Sequence, residues 1–402
     1  MLKVLLVNDT SSDVNPGCKA TVSSLKSLIH SATEYDTHIH SWPCGFGYEH
    51  FESLHQESLE KELSLYPYLK KKLKGNLERT NQKLEKLIQK LSKKKSWDYS
   101  GRKIDLVAWS SSVRKFEEYL FNEVCSANEF DIVVINAEGT VHHNQIGAIT
   151  IASIIKIFSE NKPVWCVNGS WQAIDEQVVC KAISSADYIT AREPMSFRWL
   201  SNYCEGIIQS ADCAFLSNIF NPSSFLLPSE IDSEKACLYT PGVLAQPSSS
   251  SVNPLKVQEI LEHLHIIRRL GWQPVCLLID ELHLIPFLKD AEVSIVFAKD
   301  IGWKTFGEFI RRFKLVISGR YHILIFSALA KVPFVPIASN TWKIEGLMEL
   351  LGLDNSQIVY NPKDIVGWLS KEKHNTSIRI ATKELQNCKR LACFNIPKIV
   401  KK

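Results

Sequence analysis

KLVISGRYHILIFSALAKVPFVPIA, residues 314–338, holds four local signals in a row: a β-branched run, a Ser-Gly turn, an apolar helix-length stretch and a second β-branched run. The runs Lys314–Ile317 and Phe334–Ile337 predict strands, and Tyr321–Leu329 between them predicts a buried helix. A strand, a crossover helix and a second strand make the unit of a parallel sheet. The same alternation recurs outward along the chain. Strand-like runs stand at Val4–Val7, His38–Ser41, Ile132–Ile135, Val164–Val167, Tyr188–Thr190 and Gly206–Ile208. A second series stands at Cys237–Tyr239, Val275–Ile279 and Ser294–Phe297, joins the two runs above, and ends at a short stretch, Ile358–Tyr360. Runs of Val and Ile without polar alternation fit strands covered on both faces by helices.

The expected fold is α/β: two Rossmann-like domains of about six strands each, facing one another across a cleft. The break lies in NIFNPSSFLLPSEIDSEK, residues 218–235, which is rich in Pro, Ser and Asn and has no period. That divides the chain into an N-terminal domain, residues 1–225, and a C-terminal domain, residues 226–363. A helical segment, residues 364–402, is expected to pack back on the first domain. The length of 402 residues agrees with two or three domains of roughly 100–200 residues. The sequence opens MLKVLLVNDT, a strand-like run with no leader pattern, and its longest apolar run, Ile146–Phe158, is shorter than the roughly 20 residues of a membrane span.

Charge is uneven. Residues 60–103 carry 14 Lys/Arg against 5 Asp/Glu, a net of +9, within a chain whose total is +4. The remainder is therefore acidic, which excludes a broad basic face for nucleic acid. Within residues 51–100, Leu73, Leu77, Leu84, Leu87 and Leu91 at helical spacing with Lys between them predict a basic amphipathic insertion in the first domain. Its plainer reading is a solvated arm; its sharper one is a docking face for anionic lipid or an acidic glycan carrier. Eleven Cys without any CxxC, several inside apolar runs, point to a reduced, cytoplasmic protein with no disulfide framework or zinc site. If the arm docks, the contact is peripheral, on the inner membrane face.

Ligands of doubly wound sheets bind outside the carboxyl ends of the strands. Those ends carry Asn8 and Asp9; Asn136, Glu138, His142 and His143; Asn168 and Ser170; Arg192; Ser318, Gly319, Arg320, Tyr321 and His322; and Ser339, Lys343 and Glu345. In SGRYH the Arg and His sit on a Gly turn at a helix start, where free N–H groups and the helix dipole attract an anion. Arg192, after the strand DYITA and before EPMSFRWL, is a second planar cation at a strand-to-helix turn. Adjacent His142 and His143 with one nearby carboxylate fall short of the ligand set of a metal site, so no metal is expected. There is no GxxxxGK[ST], no GxSxG and no GxGxxG, and so no support for a kinase, a hydrolase elbow or a hydride-transfer enzyme.

NAEGTVHHNQ, AREPMSFRWL and SGRYHILIFSALAKVPFVPIASNTWKIEGL, each after a strand, together resemble the polysaccharide pyruvyl transferase family, and NDTSSDVNPGCKATVSSL is similar to its first strand-loop-helix. The likeness covers most of residues 1–362 apart from the basic insertion. This chain has Tyr321 where many relatives have Leu, and Ala137 where relatives often have Gly. The resemblance implies a GT-B-like pair of domains, phosphoenolpyruvate as donor, and a saccharide hydroxyl pair as acceptor that becomes a pyruvate ketal in cell-surface polysaccharide synthesis. The acceptor could be soluble, polymeric or lipid-linked. The resemblance also implies donor binding by Arg192, Arg320, Tyr321 and His322. On chemical grounds His322 is the expected general acid. Glu138, Asp9 and Glu345, in that order, are the candidate bases. Asn8, Asp9, His142, His143 and Glu345 are the candidate acceptor contacts. No cofactor is expected beyond the donor. The alternative is a nucleotide-sugar-dependent GT-B glycosyltransferase, with Glu345 on the ribose.

Overall fold

The computed structural model describes residues 1–32, 36–64, 104–126, 128–139, 141–172, 174–222, 225–227, 229–242, 254–369 and 382–398. It is an α/β protein built on two parallel sheets. The first sheet contains β1 (Leu2–Asp9), β2 (Thr37–Pro43), β3 (Ile132–Asn136), β4 (Val164–Gly169), β5 (Tyr188–Ala191) and β6 (Ile208–Gln209), in the order β2-β1-β3-β4-β5-β6. The second contains β7 (Ala236–Thr240), β8 (Gln273–Leu278), β9 (Ser294–Phe297), β10 (Leu315–Ser318) and β11 (Phe334–Pro336), in the order β11-β10-β7-β8-β9. Among the described residues the second sheet thus has five strands rather than about six. Ile358–Tyr360 makes a single parallel bridge, Val359 to Ile337, because Asn361 and Pro362 turn the chain away at once.

Both faces of the central strands are covered, which is why β1, β3, β4, β7, β8 and β10 read as near-unbroken apolar runs, whereas the edge strand β2, THIHSWP, alternates and is partly exposed. Along β1, Leu5 and Val7 enter one core, and Val4 and Leu6 enter the core on the opposite face. Along β7, Leu238 points one way and Cys237 and Tyr239 the other. The helices that bear on the site are α1 (Pro16–Ala32), α2 (Tyr48–Ser64), α3 (Leu106–Tyr119), α4 (Ile146–Phe158), α5 (Pro194–Leu200), α6 (Pro254–Arg269), α7 (Tyr321–Ala330), α8 (Lys343–Leu350) and α9 (Thr382–Ala392). The apolar run of the sequence, α4, is buried almost all round between the first sheet and the helical layer, where Trp109 of α3 donates its indole N–H to Ser153 at 3.0 Å. A helix that is apolar on every side must be surrounded on every side, and here the sheet and the helical layer do so. Among the described residues no helix is long and apolar enough to cross a bilayer.

α7 is likewise buried along nearly its whole length. One core joins its side chains to Ala20 of α1 and to Ala211, Ala214, Phe215 and Ile219 of the segment that leaves the first sheet. The second sheet is therefore fastened to the first through α7. The C-terminal segment crosses the same seam. Leu385, Cys388 and Ala392 lie in that core, while Asn395 accepts from the Asn168 N–H at 3.0 Å, from Thr190 at 2.6 Å and from Ser210 at 3.0 Å. Of the basic insertion, α2 accounts for the start; Leu73 to Leu91 and their lysines lie outside the described residues. All eleven cysteines are free thiols.

Candidate functional site

In each sheet the chain order reverses beside the first strand: between β1 and β3 in one, between β7 and β10 in the other. These reversals open crevices at the strand ends. In the first sheet Asn8 and Asn168, both with φ of 60°, end β1 and β4, and they close a ladder through Asn136 at the end of β3. The Asn8 amide donates to the Asn136 carbonyl at 2.6 Å, and the Asn168 amide donates to Asn136 Oδ1 at 3.4 Å. Asn tolerates the left-handed region better than most residues, so it suits a strand end that must turn at once into a site. In the second sheet Gly242, at φ 83°, lies against Gly319; a Cβ on Gly242 would stand 2.9 Å from the Gly319 Cα. Two glycines let the β7 and β10 turns close on each other at the start of α7, which carries His322 to the first sheet.

His322 is where the halves meet. Its Nε2 lies 3.2 Å from Glu138 Oε1 on the β3 turn, 3.3 Å from the Thr21 hydroxyl on α1 and 3.5 Å from Asp212 Oδ2. α1 can come this close because position 17 is Gly; a Cβ there would sit 2.1 Å from His322 Cβ. Arg192 is fully buried at the end of β5. Its Nη1 donates to Asp212 Oδ2 at 2.6 Å, its Nε donates to Ser170 at 2.8 Å, and its guanidinium lies 4.5 Å from the centre of the Tyr321 ring. Tyr321 therefore has a side-chain contact of its own at this position, a face on which a cation rests. Burial would raise Asp212, but Arg192 and His322 hold it well below the usual carboxylate range.

Arg320 is turned toward the end of β8. Its Nε donates to Glu281 Oε1 at 3.1 Å, and its Nη2 pairs with both Asp280 and Glu281. Lys343, at the start of α8, is pushed down to about 7 by burial, with the positive charges of Arg192 and Arg320 adding to it. Three cations, from β5, β10 and α8, thus share one electrostatic neighbourhood. Burial lowers His142 to about 4, helped by Lys343 and His143, so its ring is neutral near pH 7. Its Nδ1 lies 3.0 Å from that of His143. Cys18, Glu138 and His322 present donor atoms within 4.8 Å of one another, close enough to meet a single cation, and burial with Glu138 nearby pushes the Cys18 thiol well up. Neither His142 nor His143 belongs to that group.

Of the residues expected from the sequence, Glu138, Arg192, Tyr321 and His322 share one cluster, with Arg320 and His142 coupled to it electrostatically through Lys343. Asp9 and Glu345 are engaged elsewhere. Asp9 pairs with Lys26 at 2.6 Å and accepts from the Ser11 N–H, which fastens β1 to α1. Glu345 accepts from the Tyr360 hydroxyl at 2.9 Å. Asp212, Asp280 and Glu281 escaped the sequence reading, although the strand-end rule, applied to β6 and β8 as well, picks out all three. Thr21 and Cys18 had no such signal; a helix that follows β1 brings them in.

A family model described as polysaccharide pyruvyl transferase matches residues 48–341. No curated protein sequence matches the chain. Among solved structures, the UDP-GlcNAc 2-epimerase of Methanocaldococcus jannaschii is 13% identical, with a TM-score of 0.51 and 97% of each chain covered. A putative UDP-N-acetylglucosamine 2-epimerase from Listeria monocytogenes is 11% identical, with a TM-score of 0.52, 98% of this chain and 93% of that one covered. At these identities the likeness is one of fold, a GT-B-like pair of Rossmann-like domains.

Proposed function

Because the chain belongs to the polysaccharide pyruvyl transferase family, we propose that it transfers the pyruvyl group of phosphoenolpyruvate to two hydroxyls of a saccharide, forming a pyruvate ketal and releasing phosphate. The observation that carries the reading is the meeting of an imidazole from the second sheet with Glu138 and the buried Arg192–Asp212 pair of the first, at the carboxyl ends of their strands.

The donor bears a carboxylate and a phosphate on one enol carbon. Arg192, Arg320 and Lys343 supply the positive charge for these two groups, in a site shielded enough for that charge to act strongly. His322 protonates the methylene carbon, which leaves an oxocarbenium-like centre at the carbon bearing the carboxylate. One saccharide hydroxyl adds there, phosphate departs, and the second hydroxyl closes the ring. Of the two hydroxyl protons, one replaces the proton given to the methylene carbon and the other leaves with phosphate. In this reading Glu138, 3.2 Å from His322 Nε2, receives the first and returns it. His142, neutral and partly shielded, serves as a hydrogen-bonding group to the acceptor. The three cations do the neutralising that a metal would otherwise do, so the reading includes none.

The test is phosphate release from phosphoenolpyruvate that depends on added saccharide. His322→Ala should lower kcat by about 10²–10⁴-fold with a smaller change in donor affinity. Near-normal turnover of that variant removes His322 from the proton step. The fold likeness to enzymes of UDP-sugars supports a second reading, a nucleotide-sugar transferase. Calorimetric binding of UDP, with none of phosphoenolpyruvate, would decide for it.

A further inference from the structure

The carboxylate of Asp212 sits where the two halves are joined, and no part of the proposed chemistry yet uses it. It is fully buried, one residue before the 3₁₀ turn Cys213–Leu216 that carries the chain out of the first sheet. Every lobe of it has work. Oδ2 accepts from Arg192 Nη1 at 2.6 Å and lies 3.5 Å from His322 Nε2; Oδ1 accepts from the Thr21 hydroxyl at 2.9 Å and from the Ala214 N–H at 2.7 Å. Thr21 is itself 3.3 Å from His322 Nε2. One side chain therefore touches the first-sheet cation directly, and reaches the second-sheet imidazole both directly and through a hydroxyl.

A fastening of the fold alone would explain the Ala214 cap, which many surface turns make with an exposed Asp. It does not explain a second oxygen held between a guanidinium and an imidazole that come from different sheets. Burying a carboxylate is costly unless each oxygen is paired, and here the pairing partners are the groups on which the donor chemistry rests. The backbone around Asp212 adds to this. Its neighbours Ala211, Ala214 and Phe215 lie in the core shared with α7, so the carboxylate is referenced to the element that carries His322.

We infer that Asp212 is a positioning residue that holds Arg192 and His322 in a single arrangement across the two sheets, so that donor clamping and proton delivery depend on one carboxylate. This rests on the pyruvyl-transfer reading for its assay but not for its geometry. The prediction is non-additivity. A residue that acts through His322 has little left to lose once His322 is gone.

The experiment is a double-mutant cycle of Asp212→Asn with His322→Gln, read as saccharide-dependent phosphate release and, separately, as thermal unfolding without substrate. At saturating donor, Asp212→Asn should lower kcat about 10²-fold in the wild-type background and less than about threefold beside His322→Gln, while the donor KM rises in both because Arg192 loses its partner in each. Equal losses in both backgrounds overturn the inference, since a purely structural carboxylate would cost the same in each. Should Asp212→Asn not fold, Thr21→Val keeps the ion pair with Arg192 and removes the bridging hydroxyl. It should lower kcat about tenfold in the wild type and leave the His322→Gln background unchanged; additive losses again overturn the inference. A wild-type protein that never releases phosphate refutes the pyruvyl-transfer reading instead. The unfolding cycle then decides on its own, and additive losses of stability there refute the coupling.

Discussion

Gly17→Ala sets two physical arguments against each other. Position 17 is the second residue of α1, and Ala is favoured over Gly within a helix by up to about 1 kcal/mol. Helix propensity therefore predicts a more stable protein. The tertiary structure predicts the reverse. A Cβ at Gly17 would lie 2.1 Å from both Cβ and Cγ of His322 and 2.4 Å from its Nδ1. Carbon atoms pack at about 3.5–4.0 Å, so either the imidazole or the start of α1 must move by roughly 1.5 Å. Overpacking of this kind costs about 1–3 kcal/mol, which exceeds the propensity gain. The imidazole has little room to retreat, because Glu138, Thr21 and Asp212 surround its Nε2. A misplacement of about 1 Å at a reacting group can cost on the order of 10²-fold in rate. We expect Gly17→Ala to unfold at a lower temperature than wild type and to lose about 10²-fold in phosphate release, with α-helical circular dichroism retained. Differential scanning calorimetry and a coupled phosphate assay measure both. A variant with a raised unfolding midpoint and wild-type turnover would refute the packing of α1 against α7.

Arg192→Lys should weaken phosphoenolpyruvate binding at least tenfold in calorimetry, since Lys cannot hold Ser170 and Asp212 together and lie flat on Tyr321; Arg320→Lys should weaken it too, and unchanged affinity in both would end the clamp model. Lys343, a base lowered to about 7, is charged below that pH and neutral above it. Donor affinity should therefore drop as pH rises through 7, by more in wild type than in Lys343→Arg, which stays charged throughout; identical pH dependence in the two proteins would show that Lys343 does not meet the donor. Turnover should survive exhaustive chelation. Loss of activity restored by one divalent ion would instead make ligands of Cys18, Glu138 and His322, whose donor atoms already lie within 4.8 Å of one another.

What the linear sequence determined is what local rules govern. Near-continuous apolar runs between helix-period stretches were enough to find the central strands β1, β3, β4, β7, β8 and β10, because a strand covered on both faces is apolar at almost every position; β2 and β6, partly exposed, were found by their place in the strand–helix alternation. Polar residues after those runs were enough to bring Glu138, Arg192, Arg320 and His322 into view, since ligands of such sheets bind at the strand ends. The same reading overreached at Ile358–Tyr360, where one bridge forms before the chain turns away. It named Asp9 and Glu345 after Glu138 as candidate bases, for nothing local shows which carboxylate pairs with Lys26, which accepts from Tyr360 and which faces an imidazole. That distinction is made by packing. Thr21 and Asp212 are 191 residues apart, Thr21 and His322 are 301 apart, and only the burial of α7 against α1 and the segment after β6 brings the three together. Proximity of this kind depends on how two sheets dock. Docking depends in turn on positions, such as Gly17 against His322, where the decisive feature is a missing atom that no local pattern can mark.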